Sequence, residues 1–144
     1  MIIGSIIIIL VHFLFSLSFL NHYIIAIALM LLLGIGFSLV PSAMWPSVPK
    51  IIPERQLGTA YALIFLLQNA WALMFAPALI GWVLHNYCIV GKVMVGGQEM
   101  TQYNYQIPML IFTSFGVLAL LFAYLLKIED KKKGYGLEKP NIEQ

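Results

Sequence analysis

Charge is scarce in this chain. Only 10% of its 144 residues are Asp, Glu, Lys or Arg, where a soluble domain carries about 25%. From Met1 to Pro49 there is none. Hydrophobic residues make up 61%, and the mean hydropathy is +0.91. In water such a chain would expose large adhesive patches, which argues against a soluble fold. The net charge of +2 is small, and no helix face carries a basic stripe, so nucleic acid is excluded as a partner. One cysteine, Cys88, rules out an internal disulfide and a cysteine-based metal site. His12, His22 and His85 have no ligand spacing, so neither a metal nor any other cofactor is expected. No Ser/His/Asp set and no paired carboxylates point to an enzyme. The N-terminal segment lacks a basic flank and an A-x-A site, so it reads as a span and not as a signal peptide.

What the chain does have is four apolar runs. A helix needs about 20 apolar residues to cross a hydrocarbon core about 30 Å thick. Runs of that kind fall at about residues 2–20, 24–48, 57–84 and 107–128, designated spans A to D. Ile6–Ile9 would favour a strand in water. In lipid the helix wins, because every backbone group must be satisfied within its own segment. The expected fold class is an all-α membrane protein of four transmembrane helices, with residues 129–144 a disordered tail.

Lys50 and Arg55 lie in the B–C loop, and Lys127, Lys131, Lys132, Lys133 and Lys139 lie at or after the end of span D. The C–D loop, about residues 85–106, has only Lys92. By the positive-inside rule the B–C loop and the tail are cytoplasmic, and the C–D loop faces outward. Trp45, Trp82 and Tyr124 sit near span ends, where aromatic belts form. The lysines after span D read as a stop-transfer flank against the bilayer.

The spans differ in polar content. Span D is interrupted only by Thr113, Ser114 and Gly116, and span A only by His12 and small residues, so both read as peripheral. His12 reads as a histidine bonded to a neighbouring helix in preference to a proton relay. Span B holds Gly34, Gly36, Ser38, Pro41, Ser42, Trp45, Pro46 and Pro49. Ser38, Pro41, Ser42 and Trp45 are spaced i, i+3, i+4, i+7 and share one helical face. A proline frees a carbonyl and bends its helix. At membrane depth that is tolerated only against protein or a water-filled cavity. Span B is therefore expected to bend, with this face toward span C and toward space that these four spans leave open. Gln68 and Asn69 lie near the centre of span C, and Tyr61, Phe65, Gln68 and Ala72 share a face. An amide in hydrocarbon is costly unless it is paired. Lining a cavity and bonding between helices are both open for this pair. Pro77 and Gly81 allow a second bend. The cavity candidates are thus Ser38, Ser42, Trp45, Tyr61, Phe65, Gln68 and Asn69.

The most specific stretch is residues 45–62. Pro53 stops a continuous helix, Glu54 and Arg55 are available for charge pairing or a helix terminus, and Gly58 and Ala60 are small enough for close helix approach. The pattern Pro53-Glu54-Arg55-x-x-Gly58-x-Ala60 resembles the cytoplasmic loop between the tenth and eleventh helices of the major facilitator superfamily. With Trp45-Pro46 before it and Gln68-Asn69 after it, the string is similar to a branch that includes a lysosomal dipeptide uniporter and bacterial relatives. The resemblance implies that spans A to D correspond to helices nine to twelve of a twelve-helix, two-bundle fold, part of the C-terminal six-helix bundle. It also implies that Pro53, Glu54, Arg55 and Gly58 form a conformational loop, and that helices nine and twelve are peripheral while the tenth lines the cavity.

On that basis the chain is expected to be the C-terminal part of an alternating-access transporter for a small organic solute, with short peptides a candidate. Its partners would be the solute, the bilayer and the eight helices that precede these four in the family. A bacterial inner membrane, or a lysosomal or other membrane in a eukaryote, is the implied location. The contrasting expectation is a stand-alone four-span scaffold or accessory protein.

Overall fold

The computed structural model describes residues 1–17 and 22–139. The chain is mostly helical. Helix α1 is Ile2–Phe15 and α2 is Tyr23–Met44. A 3₁₀ turn at Trp45–Ser47 leads into the short α3, Val48–Ile51. After a break, a 3₁₀ turn at Glu54–Gln56 opens α4, Leu57–Asn69. A π-helical segment, Ala70–Phe75, joins α4 to α5, Ala76–Tyr87. Strands β1, Ile89–Val95, and β2, Gln98–Tyr103, precede α6, Gln106–Lys133.

Among the described residues, three continuous helical stretches are long and apolar enough to cross a membrane: Tyr23–Ile51, Glu54–Tyr87 and Gln106–Lys133. They have 29, 34 and 28 residues, or at least about 42 Å each at 1.5 Å per residue. The described part of expected span A is the shorter helix α1. Its 14 residues give only about 21 Å. Positions 18–20 of expected span A, and Asn21 of the A–B turn, lie outside the described residues. The helical end of span D runs on to Lys133, five residues past position 128, and Gly134 caps it in the left-handed region (φ 68°). Glu129 and Lys133 pair at i, i+4 over 2.8 Å in this last turn. The hydrogen bond from Lys133 holds the Glu129 carboxyl below its ordinary range. The tail expected to be irregular from 129 therefore begins as helix, and positions 140–144 lie outside the described residues.

Span A, expected at the periphery, lies between α2 and α6 and packs on both. Glycine makes this possible. A Cβ at Gly4 would lie 2.9 Å from Val40 Cγ2 and 3.0 Å from the Gly36 carbonyl oxygen. A Cβ at Gly36 would meet Ile7 and Ile8, each at 3.1 Å. On the other side, a Cβ at Gly116 of α6 would lie 2.8 Å from Ile9 Cγ1. In lipid there is no hydrophobic drive between helices, so close van der Waals contact at small residues holds them together. Gly36 is a contact point between α1 and α2. Gly34 has open space around it.

His12 is buried at this seam. Its Nδ1 lies 2.8 Å from the Ile8 carbonyl of its own helix, so Nδ1 carries the proton. Its ring packs on Phe112 of α6 at 5.4 Å. The expected bond to a neighbouring helix is replaced by one within α1, with ring packing as the interhelical contact.

The C–D connection contains a β-hairpin that was not anticipated. Gly96 and Gly97 have φ of 60° and 84°, the double left-handed pair of a two-residue hairpin turn. Val95 pairs Gln98, and the antiparallel register runs to Ile89–Tyr103 with an irregularity at Val90. Lys92 and Glu99 form an exposed ion pair at 2.8 Å.

Candidate functional site: the proline-broken junction of spans B and C

The junction is built by what prolines remove. Pro49 has no N–H, so the Trp45 carbonyl, four residues back, loses its α-helical donor. The Val48 N–H takes that carbonyl instead, which makes the 3₁₀ turn. The Tyr61 hydroxyl also donates to it, at 3.3 Å. The Trp45 and Tyr61 rings lie 5.5 Å apart. Ile52 is extended (ψ 132°), as the residue before a proline tends to be. Pro53 follows with ψ 145°, and the Gln56 N–H closes the turn on the Pro53 carbonyl at 2.8 Å. Span B therefore stops at Ile51, and span C starts three residues on. Glu54 and Arg55 are exposed, and neither is in an ion pair among the described residues. Gly58 has nothing within 4 Å of a Cβ position, so the close approach expected there is not made among the described residues.

The remaining candidates divide into three groups. Ser42 is exposed, like Ser38, but lies on the side of α2 that borders a cavity shared with α1 and α6. It lines a cavity of about 550 Å³ with Leu39, Ile3, Ala123, Lys127 and Asp130, and its hydroxyl donates to the Leu39 carbonyl at 3.1 Å. Ser38 is exposed. The Ser38–Ser42–Trp45 face is thus split, and only Trp45 meets span C. Phe65 and Gln68 are exposed, and no described residue hydrogen-bonds the Gln68 amide. Asn69 Nδ2 donates to its own helix, at the Phe65 carbonyl, at 2.8 Å. The apolar part of Glu54–Tyr87 has no buried residue, so the Phe65–Gln68 face has no partner among the described residues.

Two neighbouring features were not anticipated. Directly after Asn69 the helix widens into the π segment, where the Ala76 N–H bonds the Trp71 carbonyl five residues back. Pro77, which has no N–H and crowds the Leu73 carbonyl, explains the distortion. π turns of this kind are frequent at functional sites. Trp71 stacks on Phe75 at 4.3 Å and meets Phe115 of α6 at 6.1 Å, which ties span C to span D. The second feature is Lys50, whose Nζ donates to the Gly136 carbonyl at 2.9 Å and to that of Lys139. The B–C loop and the end of the chain are therefore side by side.

Part of the chain is similar to known proteins. It is 39% identical over 67 residues to the lysosomal dipeptide transporter MFSD1 of Gallus gallus. Over 58 residues it is 41% identical to that of Danio rerio and 43% to that of Mus musculus. These matches cover 40 to 46% of this chain but only 12 to 14% of the relatives. No protein-family model and no solved structure matches the chain.

Proposed function

We propose that this chain is part of a secondary membrane transporter of the major facilitator type, and that it contributes helices nine to twelve to an alternating-access machine. The observation that carries the reading is the partial likeness to lysosomal dipeptide transporters. The apolar helices and the proline-broken B–C junction are in keeping with it. In this reading the run 2–20 is the fourth span, and the unpartnered Phe65–Gln68 face of span C meets the solute pathway. Gln68 supplies an amide that can both donate to and accept from a peptide group. Trp45 and Tyr61 close the inner end of that pathway.

The cargo we propose is a small organic solute with peptide-like hydrogen-bonding groups, a di- or tripeptide being the first candidate. The apolar runs carry no charged residue except Lys127 at the inner end of span D, so the reading assigns the groups that would grip peptide termini to the remainder of the transporter. The test is uptake by the full-length gene product in proteoliposomes, using a panel of di- and tripeptides beside free amino acids. Saturable uptake of peptides is expected. Its absence across the panel, in protein shown to be inserted and folded, would leave the scaffold reading as the better account.

A further inference from the structure

We infer that residues 134–139 form a strap that ties the inner end of span B to the inner end of span D and must release for the two to move apart. α2 and α6 are separated by α1 along the bundle. At their Lys50 and Lys133 ends, the returning tail bridges them. Gly134 and Gly136 both have φ of 68°. These two left-handed positions turn the chain back beside α6, and a side chain at either would strain the turn. The Leu137 N–H then donates to Asp130 Oδ1 at 3.2 Å, and Glu138 pairs with Lys127 at 3.0 Å. Both of those partners belong to span D. From the other side, Lys50, next to the Pro53 break, donates to the Gly136 carbonyl at 2.9 Å and to that of Lys139. The strap thus has two anchors on α6 and one on α3. It also walls the cavity on which Ser42 lies, since Leu137 and Glu138 line it.

The chemistry suits a tie that opens. The Lys127 and Glu138 side chains are 44% and 76% exposed, and exposed ion pairs are weak and screened by salt. A permanent join would use buried apolar contact. The release step rests on the transport reading above, whereas the existence of the strap does not.

The first test therefore needs no transport. Chymotrypsin acts on the full-length protein in open membranes, and the cleavage rate after Tyr135 is followed. Lys50→Met and Glu138→Gln should each raise the rate several-fold, high salt should do the same, and the reversed pair Lys127→Glu/Glu138→Lys should restore protection. Equal rates in all of these would overturn the strap and leave the transport reading untouched. The second test places cysteines at positions 127 and 138 and joins them with a short thiol cross-linker. Uptake should fall on cross-linking and return on cleavage of the linker. Full uptake with the link shown to be formed would overturn the release requirement. If the parent carries no peptide while the strap variants still cleave faster, the strap stands and the transport reading fails.

Discussion

The Tyr61 hydroxyl donates to the main-chain carbonyl of Trp45, sixteen residues away, at 3.3 Å. The carbonyl is available because Pro49 cannot bond it. A side chain on span C thus shares with the Val48 N–H a carbonyl that an N–H at position 49 would hold in an unbroken span B. The contact stitches two spans together at the point where the chain reverses.

That relationship separates hydroxyl from ring. Tyr61→Phe removes one neutral hydrogen bond, worth about 0.5–1.5 kcal/mol, and the length of this one places it at the low end. Tyr61→Ala also removes the ring contact with Trp45, and its loss should be larger. Thermal unfolding in detergent is expected to rank wild type, Tyr61→Phe and Tyr61→Ala in that order. An Ala variant as stable as the Phe variant would show that the ring contact contributes nothing.

Trp45→Ala and Gln68→Ala in the full-length protein should lower peptide uptake while membrane expression stays normal. Trp45 faces the B–C junction, and Gln68 lies on a face with no partner among the described residues. Wild-type uptake in both variants would reduce these residues to helix packing.

Gly34 and Gly36 make opposite predictions, although they lie two residues apart. A Cβ at Gly36 meets Ile7 and Ile8 at 3.1 Å, and one at Gly34 meets nothing. Gly36→Val should lower stability by about 1–3 kcal/mol, the usual cost of overpacking, and Gly4→Val should be at least as damaging. Gly34→Ala should cause no loss. Melting temperatures of the three variants decide the matter, and equal behaviour of Gly34 and Gly36 would sink the seam.

Labelling with a membrane-impermeant thiol reagent from outside should reach a cysteine at Gln98, in the exposed hairpin, and miss one at Gln56. Native Cys88 is 2% exposed and should give little background. The reverse pattern would invert the proposed orientation. The Lys50–Gly136 bond adds a constraint, because the B–C loop and the tail must label from the same side.

The long helices were legible because lipid leaves the backbone one choice, so a charge-free run of sufficient length is enough. The break at Pro53 was legible for a similar reason, since proline acts on its own neighbours. Relations between helices were not. The Ile residues that pack on Gly36 and Gly116 have the same chemistry as those facing outward, so composition alone cast α1 as peripheral. The hairpin was open to prediction from Gly96-Gly97 after the valine-rich run Val90–Val95. At the candidate site, spacing put Ser38, Ser42 and Trp45 on one face, as it should. It could not show that Ser42 borders a cavity with residues of α1 and α6 while Trp45 packs on Tyr61 of α4.

The π segment at Ala70–Phe75 carries a consequence for the angular order of span C. A π turn inserts one residue without advancing the helix, and one residue is about 100° of rotation. Side chains beyond Phe75 are therefore out of phase with those before Ala70 by roughly a quarter turn. The stripe of Tyr61, Phe65 and Gln68 cannot be prolonged into α5 by counting in threes and fours. A scan that follows one face along span C should find its sensitive positions change phase at Trp71, with those beyond Pro77 offset from where a uniform helix would put them.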